Sequence, residues 1–249
     1  MTQTRARKII GIVSGKGGVG KTFISVNLAA ALAEAGCRTL VFDADLGLAN
    51  VDLQLGLDIN TSVSDFLMGN CEFSKLIQRA ERIGCDVVSG RSAMTALTNS
   101  TEYERSKLKT ALLEAAGSYD YVLIDMPAGI DGNVTDFFDI CDALYVVLRA
   151  DPTSLMDAYA LMKVTPSRLR QRVFIIANAV TNSSDAKDLA VNFSAVTDKF
   201  LSFNPGFLGG VRADRNVEIS IRRQLPVYAA APQSHAAADI RSLARRVLS

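Results

Sequence analysis

The sequence predicts an α/β fold: a doubly wound, mostly parallel sheet with helices on both faces. Three observations carry this. Short, strongly apolar runs alternate with helical patterns from end to end, and strands that read as near-continuous Val/Ile/Leu runs are those covered on both faces. A glycine-rich turn, Gly15-Lys16-Gly17-Gly18-Val19-Gly20-Lys21-Thr22, joins the first such run to a helical pattern. Strand, glycine loop and helix in that order make the context of a phosphate-binding loop. Two later apolar runs end in acids, Asp43 with Asp45 and then Asp125, and doubly wound sheets bind ligands beyond the carboxyl ends of their strands.

The elements follow in order. Ile9–Val13 is the first buried strand. Glycines in the loop after it let backbone N–H groups converge on phosphate oxygens, and the helix start adds its positive end. Lys21 then reaches phosphate, and the Thr22 hydroxyl reaches Mg²⁺. Residues Gly15 to Phe23 are the candidate phosphate-contacting set. The helix carries Ile24, Leu28 and Leu32 at helical spacing and stops at Gly36, a C-terminal capping residue. Thr39–Phe42 is the second strand. A flexible loop is predicted from Leu46, leading into a short apolar segment that ends at Leu57. Ser62–Gly69 and Glu72–Arg79 read as short helices. Asp86–Ser89 is a third strand, followed by a polar loop from Gly90 to Ser100. Glu102–Ala116 is an amphipathic helix with Leu108, Leu112 and Leu113 on one face.

The run Tyr119–Asp125 delivers a carboxylate from a buried strand, the form of a metal-site acid. Pro127–Gly132 follows directly, placed to respond when a γ-phosphate leaves. Strands are predicted at Ala143–Leu148, Val173–Ala177 with Asn178 at its end, and Phe207–Val211. Helices are predicted from Asp151, over Ala186–Phe203, and from His235 to Ser249. No linker, repeat or low-complexity stretch divides residues 1–249, so a single domain is expected.

Composition narrows the function classes. Lysine plus arginine number 27 against 26 acids, a net charge of +1, which argues against a strongly basic nucleic-acid binder. Four scattered cysteines show no metal-ligand spacing and read as buried free thiols in a reducing cytosol. His235 is the single histidine. No run reaches the length of a membrane span, so the expected location is the cytoplasm.

Lys16, after the first glycine, gives the form K-G-G-V-G-K-T. This resembles the deviant phosphate loop of the MinD/ParA family of ATPases, a branch of the P-loop NTPases. The resemblance implies ATP/ADP and Mg²⁺ as ligands and an ATP-dependent homodimer, in which Lys16 reaches across to the partner's phosphates. It also implies that Asp45 orients the attacking water and that Thr22, Asp45 and Asp125 serve the metal. Asn178 and Asp214 would lie at the adenine. The stretches Asp45–Asp52 and Asp151–Lys163 are most similar to the FlhG branch, also called FleN, whose members control flagellar number and placement. That branch implies as partners a flagellar transcription activator, a flagellar GTPase of the signal-recognition-particle type, or switch-complex proteins. The wording Met126-Pro-Ala-Gly129 is closer to MinD, which makes division-site placement an alternative. A ParA-like partition role is another, for which Arg212, Arg215, Arg222 and Arg223 could form a local basic cluster, although DNA is the less favoured partner.

Two stretches depart from the branch. Met1–Lys8 lacks the Gln/Leu-rich activator segment of many FlhG proteins. The chain reaches Ser249 without a further membrane-targeting helix. The stripe Ile240, Leu243, Val247 and Leu248 is expected to pack on the core, with peripheral attachment to the inner membrane as the rival reading.

Overall fold

The computed structural model describes residues 7–45, 50–90 and 101–249. The elements in chain order are β1 (Lys8–Ser14), α1 (Lys21–Glu34), β2 (Thr39–Asp43), α2 (Val51–Leu55), α3 (Val63–Leu67), β3 (Gln78–Ala80), β4 (Cys85–Val88), α4 (Glu102–Ala116), β5 (Tyr121–Ala128), α5 (Gly132–Thr135), β6 (Ala143–Leu148), α6 (Pro152–Val164), α7 (Ser167–Arg170), β7 (Val173–Val180), α8 (Ser183–Leu201), β8 (Gly206–Arg212), α9 (Arg215–Arg222), α10 (Val227–Ala230) and α11 (His235–Leu248).

The strands form one sheet in the order β3-β4-β2-β5-β1-β6-β7-β8. Every neighbouring pair is parallel except β3 with β4. Central β1 pairs with β5 on one side and β6 on the other. The order therefore reverses at β1, where a doubly wound sheet opens its ligand crevice.

Successive side chains alternate between two apolar layers. Ile9 and Val13 join the layer with α3, α4, α6 and α8, whereas Ile10 and Ile12 join the layer with α1 and α11. Leu40 and Phe42 face the first layer and Val41 the second. Burial on both faces is why these strands have no polar alternation. The predicted amphipathic helix is present as α4, its start closed by a reciprocal Thr101/Glu104 capping box. Leu108 and Leu112 are buried, and Leu113 is partly so.

The structure corrects several expectations. Glu72–Arg79 is not a helix: Phe73–Leu76 makes a short 3₁₀ turn and the chain then enters β3, the antiparallel edge. Three residues leave too little pattern to read as a strand. The expected loop ending at Leu57 contains α2, and α5, α7, α9 and α10 were not anticipated. Asn178 lies inside β7 rather than at its end. Cys37, Cys85 and Cys141 are buried free thiols as expected, whereas Cys71 is half-buried. Residues 1–6, 46–49 and 91–100, which include most of the N-terminal stretch, part of the loop after Asp45 and most of the loop from Gly90, lie outside the described residues.

The stripe on α11 is covered. Ala236, Ala237, Ile240, Leu243, Ala244 and Val247 are buried against α1 and β8. Among the described residues, no helix is long and apolar enough to cross a membrane.

Phe42 sits between Val88 of β4 and Ile124 of β5 with no exposed surface. Phe42→Ala should destabilise the fold by about 3–5 kcal/mol, the usual cost of emptying a buried aromatic site. Urea unfolding should show a lower midpoint with an unchanged slope.

Candidate nucleotide site

The carboxyl ends of β1, β2, β5 and β7 meet around one loop, residues 15–20. Gly15 is required there by packing: a Cβ would stand 2.1 Å from the Asp157 carbonyl in the backbone of α6. Gly20 holds φ 100, and a Cβ there would strike the Asn178 amide at 2.3 Å. Neither glycine tolerates a side chain, so α6 and β7 both press directly on the loop. Val19 and Phe23, which the sequence reading placed in the phosphate-contacting set, have their side chains in the core. Only their main-chain groups remain for a ligand.

Helix α1 starts at Lys21 with no side-chain cap and no acidic residue in its first turn. Its positive end is therefore suited to an anion. The Lys21 ammonium is buried and donates to Ser14 Oγ at 3.1 Å. Burial holds its pKa below the ordinary lysine value, partly offset by the attraction of Asp125 and Asp45. A buried cation at an uncapped helix start fits a phosphate group, whose oxygens favour its charged form.

Asp125 is buried behind the start of α1. It accepts from Ser25 Oγ at 2.9 Å and from the Thr22 hydroxyl. Burial, with a contribution from Asp45, pushes its carboxyl up to about 6 against the opposing effects of Thr22, Lys21 and Ser25. Thr22, Asp125 and Asp45 offer hard oxygen donors, the type Mg²⁺ takes in combination with phosphate oxygens. No cluster of three His, Cys, Asp or Glu side chains able to hold a metal alone occurs among the described residues. A metal here would need the ligand's phosphates to complete its shell.

Asp43 and Asp45, the two acids after the second apolar run, differ in placement. Asp43 is the last residue of β2 and is fully buried opposite Asp125. Asp45 lies beyond the strand and is half-buried. On the far side, the Gly129 N–H donates to Ser14 O at 3.0 Å, so the stretch after β5 is tied to the phosphate loop.

Lys16, expected to reach outward, is held within its own chain. Its ammonium lies 3.1 Å from Asp151 Oδ1 and 2.5 Å from Thr153 Oγ1, at the start of α6. Asp151 is also the N-cap of that helix, accepting from Ser154 N at 2.9 Å. The Thr153 hydroxyl, the Ser154 N–H and Lys16 together hold its carboxyl down at about 2.

The two residues placed at the adenine do other work here. Asn178 Nδ2 donates to Val19 O at 2.7 Å, bracing the loop. Asp214 caps α9, accepting from Asn216 N at 2.9 Å, and joins it to α11 through Ala236 N at 3.2 Å. The bonds to Val19 and Ala236 join residues distant in sequence, whereas the Asp214 cap on Asn216 is local. The four-arginine cluster is also corrected. Arg212 is bound to Asp239 through Nε and Nη2, each at 2.8 Å, leaving only Arg215, Arg222 and Arg223 exposed on or beside α9. Ser14 and Ser25 were overlooked. Ser25 follows Thr22 by three residues and so shares its helix face, a signal that was available.

A family profile described as "AAA domain" matches residues 7–173. The antiactivator FleN of Pseudomonas aeruginosa is 33% identical over 241 residues, covering 96% of this chain and 86% of the relative. The flagellum site-determining protein YlxH of Helicobacter pylori is 29% identical, covering 90% of this chain and 76% of the relative. Among solved structures, the septum site-determining protein MinD of Pyrococcus horikoshii, complexed with Mg-ADP, superposes with a TM-score of 0.79 at 25% identity. That match covers 96% of this chain and 95% of the other. The chain belongs to the AAA-domain family and, within it, to the MinD/ParA ATPases, close to the FlhG branch. Adenine nucleotide with Mg²⁺ is the ligand held in that MinD structure.

Because folded Asp125 binds its proton more tightly than an aspartate in the unfolded chain, stability should fall as pH rises from about 4 to about 6. Asp125→Asn removes that effect. Without nucleotide or Mg²⁺, the variant should melt above the wild type at pH 8, with the gap closing as pH falls through about 6 toward 4.

Proposed function

We propose that this chain is a magnesium-dependent ATPase switch of the FlhG type, which regulates flagellar number and position and pairs with a second copy when ATP is bound. The observation that carries the chemistry is the buried Lys21 at an uncapped helix start, with Thr22, Asp45 and Asp125 around it. Similarity to FleN and YlxH over most of their lengths supports the flagellar role.

In this reading the amides of residues 15–22 and the Lys21 ammonium hold the triphosphate. Thr22, Asp45 and Asp125 would hold Mg²⁺, which would supply charge neutralisation at the phosphate oxygens. Asp45, beyond the strand end, accepts a hydrogen bond from the attacking water and so orients it. Lys16 of one copy leaves Asp151 and Thr153 and places its charge on the γ-phosphate of the other, as charge accumulates there. Positioning and charge supply most of the rate. Asn178 and Asp214 act at the adenine indirectly, by shaping the loop and the α9 start. The partner is a flagellar transcription activator, consistent with the relative's name of antiactivator, and the protein works in the cytoplasm.

Lys16→Ala should abolish ATP-dependent dimerisation in size-exclusion runs while leaving ADP binding within about twofold. Dimer formation at wild-type levels by that variant would refute the exchange of lysines between copies. Asp151→Asn keeps an N-cap acceptor but removes the charge that holds Lys16. It should dimerise with ATP at lower protein concentration than the wild type in the same runs.

A further inference from the structure

The phosphate loop and Asp125 leave one buried ionisable group of the site without a role. Asp43 has no exposed surface and stands beside Asp125 in the adjacent strand, Asp43 pairing with Asp125 in the β2–β5 register. Two buried carboxylates side by side are unfavourable unless something specific requires both. Among the described residues, Asp43 accepts three hydrogen bonds, each from a backbone donor. Oδ1 accepts from Asp45 N at 3.0 Å, and Oδ2 accepts from Asn50 N and Val51 N, each at 3.1 Å.

These donors lie on the two sides of residues 46–49. Asp45 is the candidate water-orienting acid. Val51 opens α2, whose N-cap residue Asn50 makes no side-chain capping bond. The Asp43 carboxylate thus satisfies the start of α2 from a distance and fixes Asp45 with its other oxygen. The far end of α2 is held separately: Gln224 Nε2 donates to Leu53 O at 3.1 Å, and Gly56, at φ 62, leaves room for the Gln224 side chain. With that end anchored, slack introduced at Asp43 falls on the segment carrying Asp45. Only a carboxylate offers acceptors on both oxygens; an asparagine would turn an NH₂ toward one set of donors.

We propose that Asp43 is a positioning residue for ATP hydrolysis, a buried carboxylate clamp that ties both flanks of the segment after β2 and so fixes where Asp45 points. The inference rests on the reading of Asp45 given above. It assigns Asp43 no contact with ATP or metal, and it therefore separates turnover from binding.

The test uses the purified full-length chain and compares Asp43→Asn with Asp45→Ala and wild type. Phosphate release is measured at saturating protein across an ATP series, with ADP affinity from a fluorescent-nucleotide titration. Asp43→Asn should lower kcat at least about tenfold, with KM for ATP and Kd for ADP within about threefold of wild type. A kcat within twofold of wild type overturns the clamp, and so does a parallel collapse of ADP affinity, which marks a merely structural role. If Asp45→Ala is inactive while Asp43→Asn turns over normally, the clamp alone fails. If Asp45→Ala turns over normally, the reading of Asp45 itself fails. Should Asp43→Asn not fold, Gln224→Gly releases the far end of α2 at a position whose φ of 53 suits glycine. It should lower kcat severalfold at constant KM, and an unchanged kcat there overturns the proposal.

Discussion

The structure turns on a group of charges enclosed at the carboxyl end of the central strands. Asp43 and Asp125 are both buried, in register on neighbouring parallel strands, and the Lys21 ammonium is buried close to Asp125. Burial alone would neutralise each of them. For the two carboxylates, hydrogen bonds from the Thr22 and Ser25 hydroxyls and from the main chain at residues 45, 50 and 51 oppose this; for Lys21 the attraction of Asp125 and Asp45 does. Those donors are available because β2 ends opposite Asp125 and the first turns of α1 lie against that carboxylate.

From this group the phosphate loop is braced on three sides. Gly15 lies flush against the backbone of α6, Gly20 against the Asn178 amide of β7, and Ser14 accepts the Gly129 N–H from beyond β5. Lys16 adds a fourth tie to the start of α6 through Asp151 and Thr153. Half-exposed ion pairs of this kind contribute little to stability, so a triphosphate can readily replace this one. The close backbone contacts cannot yield so easily. A change at the phosphates would thus be carried into α6, β7 and the segment after β5 while the sheet stays intact.

Away from the site, the structure spends charged side chains on its exposed edge. At β8, Arg246 donates to Leu208 O, and Asp239 accepts from both the main chain and the guanidinium of Arg212. Both helix residues come from α11, whose apolar face is buried on α1 and β8. Edge strands covered in this way do not template pairing with other chains. The same contacts remove Arg212 from the basic surface and take the α11 stripe out of solvent.

Much of the architecture was readable from the chain because its signals are local. Continuous apolar runs mark strands buried on both faces, and Gly15–Thr22 between such a run and a helical pattern marks a strand–loop–helix unit. The capped start of α6 at Asp151-Pro152 was equally plain. β3 escaped because three residues carry no period. The sequence by itself determined which residues could meet at a phosphate site, since composition and short-range spacing limit the chemistry available. Tertiary structure alone decided what each one touches. Asp43 became a clamp rather than a partner of Asp45, Asn178 and Asp214 became braces, and Lys16 acquired Asp151. Each of these bonds joins residues from different elements, and only the packing of the sheet brings their donors and acceptors within reach.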